Sequence, residues 1–509
     1  MILPLPQIRL NGRGMRRRGM GSLPLPGRSR VCANANARPP RASSIAPADE
    51  PRRLSFPRSV QTMDGAPVSS EPGIPDNPAP TGAPDNPAAL GAAEAARRMA
   101  AGALTSEALV AACLARIAER DPDVRAWAHL DADAALAEAR ARDAEPPRGP
   151  LHGIPVGIKD IYDTADMPTA YGSVLYEGHR PAVDSAPVEA LRAAGAIVPG
   201  KTVTTEFAYL TPGPTRNPYD LSRSPGGSSS GSAAGVGDYH VPLAMGSQTG
   251  GSTIRPAAYC GVYGFKPTFG FVNIDGVRPL AMALDTAGWF ARNVEDLALL
   301  GSALHPLIDA ELRPLATPPR IGIVRTADWE RATPDVRGAI DGIADALANA
   351  GCAVAEVDWP EECNDLGTAW EAVIAAGAAS ALAPEYEQHR DRMGDHIRTL
   401  IEQGHALTPS ERSAAEATAL RCRALVSELF EDYDAFLTPA TGDVAPERLD
   451  STGDPLFNRS WTLLRLPCLA VPAGLDASGL PLAAQLVGRH GGDQALLELA
   501  AWVEGMVGE

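Results

Sequence analysis

Lysine is almost missing from this chain: of 45 basic residues only Lys159, Lys201 and Lys266 are not arginine. Aromatic residues make up 5% of the chain. No apolar run approaches the ~20 residues that a membrane-spanning helix needs, so a transmembrane protein is not expected. The seven cysteines are scattered and form no Cys-x-x-Cys pair. Neither a disulfide framework nor a cysteine-based zinc site is therefore expected, and free thiols in a reducing cytosol fit better. The net charge of −17 argues against nucleic acid or an anionic membrane as partner. Apolar residues, by contrast, form 45% of 509 residues, enough for a sizeable core.

Charge is unevenly spread. Residues 1–62 hold twelve arginines against two acids, Asp49 and Glu50. They are rich in proline and show no periodic apolar pattern, so disorder is expected. Three roles compete for this segment: an acid-poor transit peptide, a nucleic-acid arm, or an upstream extension preceding a start at Met63. The last is favoured. Residues 64–87, with an imperfect Pro/Asn/Asp repeat, read as a linker. We expect a disordered extension over 1–87 and a single large α/β domain over 88–509.

In that domain, Thr105-Ser106 precede apolar residues at helical spacing and predict a capped helix that stops at Asp121-Pro122. A second helix is predicted over 131–143. Short apolar runs then alternate with Gly, Pro and Ser: Ile154–Ile158, Ile197-Val198, Val241–Met245 and Val262–Phe265. A helix over Val188–Ala194 sits between the first two. This is α/β texture. Another αβ stretch follows over 320–358, then helices to about 433, then a closing βα stretch from Ala435.

Where arginine has replaced lysine almost everywhere, the surviving lysines should include positions at which arginine fails. Arginine stays charged, whereas a desolvated lysine can become a neutral base. Lys159, in Gly-Ile-Pro-Val-Gly-Ile-Lys-Asp, follows an apolar strand-like run where burial would act in this way. The bland alternative is a lysine paired with Asp160 or a carbonyl. Lys201 completes Gly195-Ala-Ile-Val-Pro-Gly-Lys201-Thr202, the pattern of a phosphate-binding loop. That loop needs strand, loop, helix. Here a helix ends at Gly195 and a strand follows it, so nucleotide binding is not expected.

Two glycine–serine segments, 225–232 and 246–252, are locked between apolar runs and so are not linkers. Glycine there allows close approach of the backbone. Consecutive N–H groups over Thr249-Gly250-Gly251-Ser252 would form an anion-binding nest, and a serine closing such a nest has an oxyanion hole beside it. Gly227–Gly231 also matches Gly-x-Ser-x-Gly around Ser229, the nucleophile elbow of α/β-hydrolases. That elbow needs a preceding strand, and a polar, proline-punctuated loop precedes it instead.

Residues 225–268 closely resemble the signature of the amidase signature family. Gly-Ile-Pro-Val-Gly-Ile-Lys-Asp upstream resembles its lysine motif, and LDTAGWFARNVEDLALL and LRLPCLAVPAG resemble later motifs. The likeness runs from about residue 88 to 505 and is weakest across 305–430. The resemblance implies a mixed central sheet covered by helices on both faces. It also implies a Ser–cisSer–Lys triad, with Ser252 as nucleophile, Ser228 after a cis peptide as bridge, and Lys159 as base. The N–H groups around Thr249, Gly250 and Gly251 would hold the oxyanion. No metal or cofactor is implied. The implied partner is a small-molecule amide in the cytoplasm, with a homodimer as family habit.

The chain departs from the commonest family pattern at two places. Gln248 stands where an acid is usual, and Arg255 falls one place later than usual. Arg255 is expected to be scaffold, as are Lys201, Lys266, Cys260, His152 and His240. The main expectation is an amidase releasing a carboxylate plus ammonia or amine. The alternatives are the A-type glutaminase component of a tRNA-dependent amidotransferase, a serine esterase using Ser229, and a non-catalytic relative.

Overall fold

The computed structural model describes residues 86–507; the expectations for 1–62 and for nearly all of the linker fall outside them. Among the described residues eleven strands form one mixed sheet. In chain order they are β1 (Trp127–Leu130), β2 (Val156–Lys159), β3 (Gly200–Thr202), β4 (Leu243–Gln248), β5 (Tyr263–Lys266), β6 (Thr286–Ala291), β7 (Arg320–Ile323), β8 (Ala353–Glu356), β9 (Ala435–Pro439), β10 (Cys468–Leu475) and β11 (Pro481–Gly488). Across the sheet the order is β1-β3-β2-β4-β6-β5-β10-β11-β9-β7-β8. β2 runs parallel to β3 and β4, whereas β4, β6, β5, β10, β11 and β9 pair antiparallel in turn.

Side chains alternate across a strand, and that alternation divides the core in two. Leu243, Met245, Leu469, Val471, Leu486 and Leu437 pack on one side. Ala244, Cys468, Ala470, Val487 and Phe436 pack on the other. The first side is covered by helices that include Ser106–Val124, Val294–Leu304 and Pro334–Asn349. The second is covered by Ser230–Gly237, Ile254–Tyr259, Leu366–Ala381 and Pro409–Leu429. The sheet therefore lies between two helical layers, as expected.

Two boundaries differ from expectation. The first capped helix does not stop at Asp121-Pro122 but runs to Val124, with Pro122 inside it. It ends where Arg125 turns left-handed and donates its N–H to the Asp121 carbonyl, and Asp121 Oδ1 then accepts from Ala126 at 2.6 Å. Ile197-Val198 is not a strand. Ile197 makes one isolated bridge to Pro155, and the strand begins at Gly200. Lys201 thus lies on β3, beside the edge strand β1, and no helix N-terminus follows it.

Candidate active site

β2 is buried at all four positions, as a parallel strand covered on both faces must be. It delivers Lys159 at its carboxyl end. β4 runs parallel beside it, with Val156 opposite Leu243 and Gly157 opposite Ala244, so Ser247 and Gln248 emerge at the same end. Carboxyl ends of neighbouring parallel strands are where open α/β sheets place their ligands.

Lys159 is fully buried. Its Nζ lies 2.7 Å from Ser228 Oγ and 2.8 Å from Ser247 Oγ. Burial pushes the ammonium well below the ordinary lysine range, and the charge of Asp285 opposes that shift. Asp160, the next residue, is paired instead with Lys201 at 3.2 Å. Lys201 and Lys266 are buried against carbonyls and threonines, and Lys266 and Cys260 have no place at the site.

The peptide Gly227–Ser228 is cis. Both flanking carbonyls are held: Arg255 Nη2 donates to Gly227 O at 2.7 Å and Thr205 N–H to Ser228 O at 3.3 Å. Ser229 N–H reaches Ser252 O at 3.4 Å, which brings the segment carrying Ser228 against the segment carrying Ser252. Ser229 itself is fully buried. Its hydroxyl donates to Ser247 O at 3.2 Å and accepts from Ser247 N–H at 3.1 Å, so it is occupied in holding β4.

The loop 249–252 is held by its carbonyls. Trp370 Nε1 donates to Thr249 O at 2.9 Å, Thr462 Oγ1 to Gly250 O at 2.7 Å, and Arg255 N–H to Gly251 O at 2.9 Å. In a trans peptide the N–H points opposite to the C=O. The N–H groups of Gly250, Gly251 and Ser252 are thereby turned away from these three partners. The Thr249 hydroxyl donates to Asp285 Oδ1 at 2.6 Å.

The two departures from the usual family pattern now have a local account. Gln248 Oε1 accepts from Thr253 N–H at 2.9 Å and Ile254 N–H at 3.1 Å, capping the helix Ile254–Tyr259, while its Nε2 donates to Thr462 Oγ1 at 3.0 Å. A carboxylate could accept the first two bonds but could not donate the third. Arg255 donates through Nη2 to Gly227 O at 2.7 Å and to Thr452 Oγ1 at 3.3 Å.

Ser252 borders a cavity of about 20 Å³ shared with Tyr209, Leu280, Trp370 and Ile374. Its hydroxyl makes no hydrogen bond among the described residues. Arg255 also borders this cavity; it is 2% exposed, and its Nε and Nη1 have no hydrogen-bond partner. Through Tyr209, Leu210, Trp370 and Pro455 the cavity adjoins a depression of about 500 Å³ rimmed by Glu371, Gln403, Asp454 and Arg459. Among the described residues no cluster of three His, Cys, Asp or Glu is placed to hold a metal ion. None of their single helices is long and apolar enough to cross a membrane.

Sequence reasoning missed Ser247, Asp285, Trp370 and Thr462. Ser247 lies within the second glycine–serine segment and was open to notice. Trp370 sits where the family likeness is thinnest, and nothing local marks it.

The family model described as Amidase matches residues 108–497. The A-type subunit of the glutamyl-tRNA(Gln) amidotransferase of Anaeromyxobacter sp. (strain K) is 37% identical, covering 82% of this chain and 96% of its own length. The native peptide amidase of Stenotrophomonas maltophilia superposes with a TM-score of 0.71 at 31% identity, over 82% of this chain and 97% of that one. A crystal structure described as an amidase gives 0.75 at 30% identity, over 82% and 99%.

Proposed function

Since this chain belongs to the amidase family and is an enzyme acting on amide carbon–nitrogen bonds, we propose that it works through an acyl-enzyme on Ser252, with Ser228 as bridge and Lys159 as base. The observation that carries this is Lys159 Nζ, buried without an acidic hydrogen-bond partner, 2.7 Å from the hydroxyl of Ser228. Burial disfavours the charged form of this lysine, which suits it to accept a proton in the reaction. Ser252 Oγ attacks the amide carbonyl while its proton passes through Ser228 to Lys159. The N–H groups of the loop 249–252 take the charge that develops on oxygen. The proton returns by the same route to the departing nitrogen, the C–N bond breaks, and water then hydrolyses the acyl-enzyme. The residues named supply nucleophile, base and oxyanion donors without a cofactor.

Arg255 bears on the acyl group. Two buried guanidinium N–H groups without partners beside a small cavity favour a compact acyl part carrying a carbonyl or carboxylate oxygen, which would satisfy them.

Two finer readings share this chemistry. One is a free-standing cytoplasmic amidase, a monomer or homodimer, and the peptide amidase likeness supports it. The other is an A-type component releasing ammonia inside an amidotransferase. The names of the sequence relatives favour the second over the first.

The test is fluorophosphonate labelling of the full chain, with fragment mass spectrometry to place the adduct. We expect it on Ser252, and none in Ser252→Ala. An adduct on Ser229, or undiminished labelling of Ser252→Ala, would sink the mechanism. Ammonia release from peptide amides by the isolated chain then favours the free amidase. Ammonia release from glutamine only after co-isolation with further subunits favours the other reading.

A further inference from the structure

Asp285 stands one residue before β6, and Thr286 after it pairs with Gln248 on β4. The acid is thus placed beside the loop that Gln248 opens. One carboxylate oxygen accepts from Thr249 Oγ1 at 2.6 Å. The other accepts from the N–H groups of Leu280 and Ala281, each at 2.9 Å. We infer that Asp285 is a positioning residue of the proposed reaction, anchoring the start of the oxyanion loop through Thr249 with one oxygen while the amides of Leu280 and Ala281 hold the other.

The geometry explains how Thr249 is held. Trp370 holds the carbonyl of Thr249 and Asp285 its hydroxyl, so this residue is fixed from two sides. The two amides from Leu280 and Ala281 leave the carboxylate no freedom to turn away. Burial pushes the Asp285 carboxyl up, while Thr249, the two amides and Lys159 pull it back. Lys159 is faced by the hydroxyls of Ser228 and Ser247, which carry no charge, and Asp160 on its own segment is taken by Lys201. The nearby Tyr162 hydroxyl donates to Gly246 O.

Asp285→Ala removes the acceptor of the Thr249 hydroxyl. Asp285→Asn keeps the anchor: its amide oxygen can accept from Leu280 and Ala281, and its NH₂ can donate to the Thr249 hydroxyl.

The inference depends on the triad reading, and the experiment separates the two. The plateau rate of fluorophosphonate labelling of Ser252 is measured in wild type, Asp285→Ala, Asp285→Asn and Thr249→Val, with thermal melts alongside. In Asp285→Ala and Thr249→Val the plateau should fall about tenfold, and Asp285→Asn should keep most of the wild-type rate. An unchanged plateau in Thr249→Val overturns the anchoring role, and so does an Asp285→Asn rate no better than that of Asp285→Ala. Should Asp285→Ala fail to fold, Thr249→Val decides alone. Failure of the wild type to label at Ser252 would instead remove the triad reading itself.

Discussion

Lys159 sits between two serine hydroxyls with no carboxylate in hydrogen-bond contact, and that setting separates lysine from arginine. A guanidinium stays protonated and brings five N–H donors to a pocket with two oxygen acceptors. Lys159→Arg should therefore lower the Ser252 labelling rate by about 10³-fold or more, read at neutral pH against wild type. The pH sign for stability follows from the same burial. The folded lysine has a depressed pKa, so the unfolded chain binds the proton more tightly across the window between that value and the ordinary one near 10.5. The lysine thus costs stability in its neutral folded form, and the cost fades as pH rises through the unfolded value. Lys159→Met should melt no lower than wild type near pH 7 while losing all labelling, as scanning calorimetry can check. Arg255 gives a prediction about preference. Arg255→Met should reduce kcat/KM for amides with a carboxylate on the acyl side more than for neutral ones, by about tenfold in the ratio. Equal losses would return Arg255 to a purely structural role at Gly227 O.

At the scale of elements, three segments distant in the chain meet on the loop 249–252. Trp370 comes from the helix Leu366–Ala381, Thr462 from the helix Arg459–Leu463, and Asp285 from the turn before β6. The glycines of the loop answer to that crowding. A Cβ on Gly250 would lie 2.7 Å from Trp370 Cζ2, and one on Gly251 would meet the Asn458 side chain. Gly250→Ala must push the indole or the loop, and the indole is tied to Thr249 O. The labelling rate should fall about 10²-fold from displacement of reacting groups, with a small change in melting temperature. A wild-type rate in that variant would show that the loop tolerates movement. Gln248→Ala leaves the N–H groups of Thr253 and Ile254 buried without partners, which costs about 1–3 kcal/mol for each.

For the whole molecule, a buried ion cluster joins the first long helix to the far end of the helix Ser230–Gly237. Asp238, fully buried, lies 3.0 Å from Arg116, 3.1 Å from Arg120 and 3.2 Å from His240. Removing the acid strands buried guanidinium charge, so Asp238→Ala should cost about 3–5 kcal/mol in a denaturant melt. The residual folded protein should still label at Ser252. Every group assigned to the site lies between Lys159 and Thr462, so a chain beginning at Met63 should keep the wild-type labelling rate.

The sequence alone carried the α/β class, most helices, and Lys159, Ser228 and Ser252 as candidates. All but Ser228 depend on local signals: caps, apolar runs, glycine-rich segments and the near absence of lysine; Ser228 came only with the resemblance to the amidase signature family. The true ends of the first helix and of β3 were misplaced, because Arg125 and Gly200 are fixed by contacts rather than by propensity. Only the tertiary structure decided what surrounds the candidates. Asp285, Trp370 and Thr462 lie 33, 118 and 210 residues beyond Ser252 in the chain. A hydrogen bond across such separations has no local signature, and it is chain packing that turns a glycine–serine loop into a fixed set of N–H donors.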